Sequence, residues 1–187
     1  MRDTAAERLA REEEERRRRE AAAAQLCRDA EAAMAAGNYE RARTLYMQAK
    51  NEYPGTTCAN GADAQLAKID AIRTIQERIH FEFDRSRITD EAAAVLQRKA
   101  EVLKGYSSLM LTLEGHCDER GSLEYNQALG QRRAESAKRY LVSLGLSESM
   151  FRTVSFGEER PIAQGSNEAA WAQNRRAEFV IQNVGAL

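Results

Sequence analysis

The chain has 187 residues, of which 43% are hydrophobic, and its formal net charge at pH 7 is −1. This length allows one or two domains, and the apolar share is ordinary for a globular protein. The nearly balanced charge argues against nucleic-acid binding, which usually requires a basic face. The sequence contains no run of about 18 apolar residues, so no transmembrane helix is expected.

Residues 1–20 form a strongly charged segment with seven arginines and seven acidic residues. Glu12 and Arg16 begin a series of four i,i+4 pairs in which the acid comes first, an order that stabilises an exposed helix. We therefore predict a charged helical arm over residues 1–25 that acts as a spacer. A coiled-coil arm is the alternative, although large apolar residues at heptad spacing are missing.

The same N-terminal segment has no apolar stretch of the kind found in secretory signals. The sequence therefore leaves three interpretations open. A signal has been removed, the chain is cytoplasmic, or its natural start lies elsewhere.

Residues 21–53 have the pattern of two amphipathic helices. Gly37 belongs to a C-cap signal that ends the first helix, and Pro54 predicts the end of the second. The pair resembles a single tetratricopeptide-type unit, which cannot bury a continuous core alone and needs a third helix. We assign residues 26–77 to this helical hairpin plus a linker helix. The segment is either a spacer or a docking site for a protein partner.

From residue 78 the apolar residues alternate, which indicates strands. Four strands are predicted, in the segments RIHFEFD, LMLTLEG, FRTVSFG and AEFVIQ. In the first of them, Ile79, Phe81 and Phe83 are expected to share the buried face.

Helices are predicted between these strands. Thr89 is the expected N-cap of one helix, a long helix spans about 123–143, and a short one spans 167–175. The resulting order is β-α-β-α-β-(α)-β. We therefore predict an α+β sandwich over residues 78–187, preceded by an all-α segment.

The long helix carries the residues that suggest chemistry. Arg133 lies in the middle of its buried stripe, and Asn126 lies on the same face two turns earlier. A buried arginine needs an anionic partner, because an unpaired buried charge is costly. Arg133 either forms a structural salt bridge with an acid such as Asp118, or it binds a ligand carboxylate while Asp118 holds an ammonium group. The residues alone leave both interpretations open.

The three cysteines, Cys27, Cys58 and Cys117, fit no metal-binding spacing. A Cys27–Cys58 disulfide is possible in an oxidising compartment, but isolated cysteines are often small buried residues. Two histidines without HExxH or CxxC argue against a metal site, and no nucleotide-binding loop is present. No carboxylate pair or activated nucleophile is evident, so we predict a binding protein without cofactor or enzymatic activity.

Four segments resemble a known family in their order along the chain: IHFEFDRSRI, GHCDERGSLEYNQALGQRRAESAKRYLVSLG, VSFGEERP and NRRAEFVI. Together they cover about residues 78–182. They resemble the OmpA-like peptidoglycan-binding domain, most closely its peptidoglycan-associated lipoprotein (Pal) subfamily. This resemblance implies non-covalent binding of the diaminopimelate residue of peptidoglycan stem peptides.

The resemblance also implies roles for individual residues. Asp118 would contact the ammonium group of diaminopimelate, and Arg133 would bind the carboxylate of the same residue. Asn126 would donate a hydrogen bond nearby, and Asp84 would line the pocket. The backbone around Ala177 matches a further contact position.

A location in the periplasm or at the outer membrane follows from the same resemblance. The protein would link the outer membrane or an envelope complex to the cell wall, with Tol-system or other envelope proteins as partners. Membrane contact would require lipidation or a partner, and the lipidated cysteine usual in the subfamily is not visible. The alternative is a periplasmic adaptor that recruits a protein through its helical-repeat segment.

Overall fold

The computed structural model of the protein describes residues 4–187. The chain divides into two compact units, which we call the helical unit, extending to Asp70, and the sheet unit, Ala71–Leu187. The last residues of the predicted linker helix, 71–77, are thus grouped with the sheet unit. In the part of the chain that the structure describes, no helix is long and apolar enough to cross a membrane.

Three helices account for the helical unit. They are α1, Ala5–Ala35, α2, Tyr39–Glu52, and α3, Thr57–Gln76, which crosses the unit boundary. Helix α1 is continuous through the predicted junction between arm and hairpin. Its residues 5–19 are all exposed, and Glu13 and Arg17 form one of the expected i,i+4 ion pairs, at 2.7 Å. This exposed part of α1 is supported by local pairs rather than by a core.

The second half of α1 packs on α2 and α3. The core there is built largely from alanines, with Tyr46, Leu66 and Ile69 as its large members. Cys27 of α1 and Cys58 of α3 form a disulfide, with their Cα atoms 5.9 Å apart. The disulfide, which the sequence left open, therefore ties together two helices that share only a small core.

We predict that the disulfide is a major part of the stability of the helical unit. It closes a separation of 31 residues, for which the chain-entropy relation gives roughly 3–4 kcal/mol. Cys27→Ser/Cys58→Ser should lower the urea midpoint of the helical transition, followed by circular dichroism on the full chain. Cys117→Ser, which removes the free thiol, is the control for cysteine replacement. An unchanged midpoint in the double variant would contradict the prediction.

The sheet unit has the predicted order of elements. These are β1 Ile79–His80, α4 Asp90–Leu103, β2 Leu111–His116, α5 Leu123–Ser143, β3 Phe151–Gly157, α6 Glu168–Asn174 and β4 Arg176–Ile181, with 3₁₀ helices at Glu148–Met150 and Val184–Ala186. The sheet order is β1-β4-β2-β3. Strand β4 is antiparallel to both neighbours, and β2 and β3 are parallel. The predicted α+β class is confirmed, as is the Thr89 N-cap of α4, whose hydroxyl accepts from Ala92 N at 3.2 Å.

The expectation for the first strand was wrong at Phe83. Ile79 and Phe81 are buried, but Phe83 is 53% exposed. The strand ends early because the backbone turns: Arg85 N donates to Glu82 O at 3.2 Å. Asp84 has a left-handed φ of 53°, so the alternation of faces that defines a strand cannot continue. Phe83 therefore lies outside the core.

Helix α5 lies very close to the centre of the sheet. A Cβ on Gly115 of β2 would fall 1.8 Å from the carbonyl oxygen of Gly130 in α5, and a Cβ on Gly130 would fall 2.2 Å from Ser155 Oγ. Glycine is therefore required at both positions for this approach. This contact fixes the distance between α5 and the end of β2. The buried polar residues of α5 lie near that end of the strand.

Lys99 of α4 is a buried cation that the sequence analysis did not predict. Its ammonium group donates to the carbonyls of Thr74 at 2.9 Å, Ile75 at 2.8 Å and Glu77. Burial lowers the pKa of this lysine to about 7. The three bonds satisfy carbonyls at the carboxyl end of α3, which have no donor partners within the helix.

Candidate functional site

Four of the five predicted site residues line one cleft in the sheet unit. The cleft has a volume of about 220 Å³, and its walls include Asp84, Asp118, Asn126 and Arg133. They come from the turn after β1, the loop after β2 and the first half of α5. Residues far apart in sequence thus converge because β1 and β2 end at the same edge, beneath α5.

Ala177 lies elsewhere. It is completely buried in β4, where it pairs with Ile79 of β1 and Gly115 of β2. Strand β4 therefore has a hydrogen-bonded strand on each side of Ala177. Ala177 is not among the residues that line the cleft. A strand flanked on both sides has its backbone groups taken up by the sheet. The neighbouring Arg175, rather than Ala177, reaches the cleft residues.

Asp118 is almost completely buried and is held by two arginines. Arg120 donates to both of its carboxylate oxygens, from Nε at 3.1 Å and Nη2 at 2.7 Å. Arg175 Nη1 lies 3.3 Å from Oδ2. Burial works to raise the pKa of Asp118, but the hydrogen bonds from Arg120 and Arg175 outweigh it, and the pKa lies below that of an ordinary aspartate. Asp118 is therefore a fixed negative charge at the wall of the cleft.

Arg133 is completely buried, as the sequence predicted, but its bonds are to backbone carbonyls. It donates from Nη1 to His116 O at 2.8 Å, from Nε to Arg85 O at 2.8 Å and from Nη2 to Glu82 O at 3.1 Å. The structural salt bridge with Asp118 that the sequence left open is not formed, since Asp118 pairs with other arginines. These bonds use three of the five N–H groups of the guanidinium.

The turn after β1 is shaped by that arginine. Two of the carbonyls that Arg133 holds, those of Glu82 and Arg85, flank Asp84, whose φ of 53° is uncommon for a residue other than glycine. The hydroxyl of Tyr125 donates to the carboxylate of Asp84. Asp84 is consequently a second acid of defined position at the mouth of the cleft.

Asn126 organises the loop that carries Asp118. It is 1% exposed, and its Nδ2 donates to the carbonyls of Asp118 and Arg120, both at 3.2 Å, and to the carboxylate of Glu158. Its carboxamide lies 3.3 Å from where a Cβ on Gly121 would stand, and Gly121 has φ 125°. The role observed for Asn126 is therefore to position the loop.

Sequence reasoning missed Arg120 and its two aromatic neighbours. The guanidinium carbon of Arg120 lies 3.9 Å from the ring centre of Phe83 and 4.0 Å from that of Trp171. Arg175 was missed as well; it donates to Phe81 O at 3.0 Å and to Glu168 at 2.7 Å. The adjacent arginines in NRRAEF, next to a buried strand, were a usable signal for it, since buried arginines require partners.

His116 and Cys117, at the end of β2, are both buried. Across residues 4–187, no group of three or more histidine, cysteine or acidic side chains is placed to hold a metal. His116 is buried with both ring nitrogens unbonded, and burial lowers its pKa to about 4. Burial raises the pKa of the Cys117 thiol, whose Sγ donates to Asn126 O at 3.3 Å. A protonated, buried thiol is not an activated nucleophile.

Residues 80–175 match the model of the OmpA family, and the chain belongs to that family. This is not an enzyme family. Among its relatives, the peptidoglycan-associated lipoprotein of Pseudomonas aeruginosa is 47% identical over 121 residues, which are 65% of this chain and 71% of the relative. The lipoprotein of the same name from Rhizobium meliloti is 40% identical over 136 residues, 73% of this chain and 77% of the relative.

Solved structures give the same picture. The crystal structure of the peptidoglycan-associated lipoprotein from Burkholderia pseudomallei is 44% identical, with a TM-score of 0.56, over 57% of this chain and 91% of that one. The C-terminal domain of Helicobacter pylori MotB, at 18% identity and a TM-score of 0.53, covers 57% of this chain and 84% of that one. The second likeness concerns the fold alone. The family and fold predicted from sequence are thereby confirmed.

We predict that Arg133→Ala destabilises the sheet unit, because one buried and two partly buried carbonyls lose their donor. Buried polar groups left unpaired cost roughly 1–3 kcal/mol each, and partial relaxation reduces the sum, so we expect a loss of about 3 kcal/mol. Arg132→Ala, one residue away and exposed, should change stability by less than about 0.5 kcal/mol. Urea unfolding of both full-length variants tests this. Equal stability of the two variants would contradict the structural role.

Proposed function

We propose that this protein binds peptidoglycan non-covalently, through the diaminopimelate residue of the stem peptide. The observation that carries the proposal is a small cleft lined by charges of both signs: Asp118 and Asp84 are anionic, and Arg133 and Arg120 are cationic. The names of the relatives, peptidoglycan-associated lipoproteins, support the same ligand.

The chemistry of diaminopimelate fits such a cleft. The end of its side chain carries an ammonium group and a carboxylate on one carbon atom, whereas lysine carries the ammonium alone. A site that presents one fixed charge of each sign can hold both groups of the zwitterion. Because Asp118 is 4% exposed and Arg133 is completely buried, their charges are weakly screened by solvent and interact more strongly with a ligand.

In this proposal Asp118 accepts hydrogen bonds from the ammonium group, and Arg133 contributes to binding the carboxylate. Asn126 keeps the Asp118 loop in place, and Asp84 lines the entrance. Ala177 would act indirectly, by holding Arg175, two residues before it, in register with the sheet. The protein would thereby link the outer membrane or an envelope complex to the cell wall.

A periplasmic or outer-membrane location agrees with the disulfide. The Cys27–Cys58 bond is of a type that forms and persists in oxidising compartments such as the bacterial periplasm. Contact with the membrane itself would come through lipidation or a partner, and the Tol system supplies candidate partners.

The alternative is an adaptor that recruits an envelope protein through its helical unit. The observation in its favour is that the helical unit has a core of its own and a disulfide, more structure than a flexible tether requires. The full chain carrying Asp118→Asn separates the two functions. Capture of a defined envelope protein by this variant, without sacculus binding, would favour the adaptor.

We predict that the full chain binds a stem peptide containing diaminopimelate at least about tenfold more tightly than one containing lysine, since a charge-assisted hydrogen bond is worth roughly 1.5–3 kcal/mol. Asp118→Asn should weaken binding of the first peptide by a similar factor. Glu159→Gln, an exposed acid in the same unit, is the matched control. Isothermal titration measures all four affinities. Equal affinity for both peptides would refute the assignment.

The lowered pKa of Asp118 gives a pH prediction. A carboxyl with a lowered pKa stays ionised until the pH falls below the ordinary aspartate value of about 3.9. His116, with a pKa of about 4, also does not titrate near neutrality. Sacculus binding should therefore be constant from pH 7 to pH 5 and decline only in stronger acid. A pull-down series over this range that falls steadily below pH 7 would show that another group controls binding.

A further inference from the structure

The position proposed for the ligand's ammonium group is already occupied by a side chain of the protein. Arg120 contacts both carboxylate oxygens of Asp118, at 2.7 and 3.1 Å, and its backbone N–H donates to Oδ1 at 3.1 Å. Two N–H groups that meet two carboxylate oxygens form the strongest geometry of ion pair. An incoming ammonium group must therefore compete with Arg120 for Asp118.

The two arginines on Asp118 differ in how firmly they are held. Arg175 is nearly buried, with 8% of its side chain exposed, and also bonds Phe81 O and Glu168. Arg120 has 29% of its side chain exposed, and its further charged neighbour is Glu168 at 3.6 Å. Arg120 is thus the arginine that can leave Asp118, whereas Arg175 is fixed.

Two aromatic rings can hold the guanidinium of Arg120 after it leaves Asp118. Its guanidinium lies between Phe83 and Trp171, at 3.9 and 4.0 Å from the two ring centres. Stacking on aromatic faces holds a guanidinium without requiring a carboxylate. A short shift between the rings would free Asp118 while the positive charge stays at the cleft.

We propose that Arg120 is the specificity-determining residue of the cleft and that it acts by exchanging partners. The ligand's ammonium takes the place of Arg120 on Asp118, and the released guanidinium binds the ligand's carboxylate. This inference rests on the proposed binding of diaminopimelate. The number of ion pairs is conserved only when the ligand carries both charges.

A ligand with an ammonium group alone is rejected for a physical reason. It could displace Arg120, but the displaced guanidinium would lose its two side-chain hydrogen bonds to Asp118. It would keep only Glu168 at 3.6 Å, whose carboxylate already binds Arg175 at 2.7 Å, and this loss is costly. Arg120 thus works as an internal competitor against simple amines. Arg133, whose guanidinium is held by three carbonyls, cannot exchange partners in this way.

The test compares the full-length protein with Arg120→Ala by isothermal titration, using stem peptides that contain either diaminopimelate or lysine. Removal of the competitor should strengthen binding of the lysine peptide at least tenfold. The ratio of the two affinities should fall by at least tenfold. Arg120→Gln, which keeps polar bulk without charge, should behave similarly. Arg152→Ala, an exposed arginine on β3, should leave both affinities unchanged.

A second measurement reports on the exchange itself. Trp171 is the single tryptophan of the chain, so its fluorescence senses the guanidinium stacked on it. Addition of the diaminopimelate peptide should shift this fluorescence in the parent protein and not in Arg120→Ala.

Three results would overturn the proposal. If Arg120→Ala lowers the affinity for both peptides equally, or leaves the ratio of the two affinities unchanged, Arg120 is an ordinary contact residue. The proposed function then stands without the exchange. If the parent protein binds neither peptide, the proposed function and the exchange both fail. If the parent protein binds the diaminopimelate peptide without a change in Trp171 fluorescence, Arg120 does not move on binding, and the exchange is refuted.

Discussion

The buried guanidinium of Arg133 is the interaction on which the geometry of the cleft depends. A cation without solvent contact must be compensated, and here the compensation comes from the carbonyls of Glu82, Arg85 and His116. These carbonyls lie in the turn after β1 and at the end of β2. One side chain of α5 therefore fixes the two loops that carry Asp84 and Asp118, so the spacing of the acids is set before any ligand arrives.

That role is possible only because α5 lies unusually close to the sheet. The contact between Gly115 and Gly130 removes the two side chains that would hold the helix away. Arg133 follows Gly130 by about one helical turn, so its side chain reaches the ends of the strands. A larger residue at either glycine would lift the helix and lengthen all three bonds of Arg133 together. The close approach of α5 to the sheet therefore determines both the packing of the core and the shape of the site.

The sequence predicted the elements of the sheet unit and four of the cleft residues, but not how those residues bond. The spacing of apolar residues was sufficient to predict α5 and β2, and the alternating leucines of β2 are buried as expected. It failed at Phe83, because a left-handed Asp84 ends the strand and no hydrophobic pattern encodes that turn. The Arg120 stack depends on Phe83 and Trp171, 88 residues apart in sequence (171 − 83). Such a contact exists only once the chain is folded, and local spacing could not reveal it.

A cleft whose charges are already paired recognises ligands differently from an empty one. Asp118 is paired with Arg120 and Arg175, so its buried carboxylate does not destabilise the fold as an unpaired charge would. In the proposed exchange, binding replaces an existing pair by an equivalent one, and affinity depends on the difference between the two sets of bonds. A site of this kind discriminates against an ammonium group alone, and it gains selectivity without tight intrinsic binding.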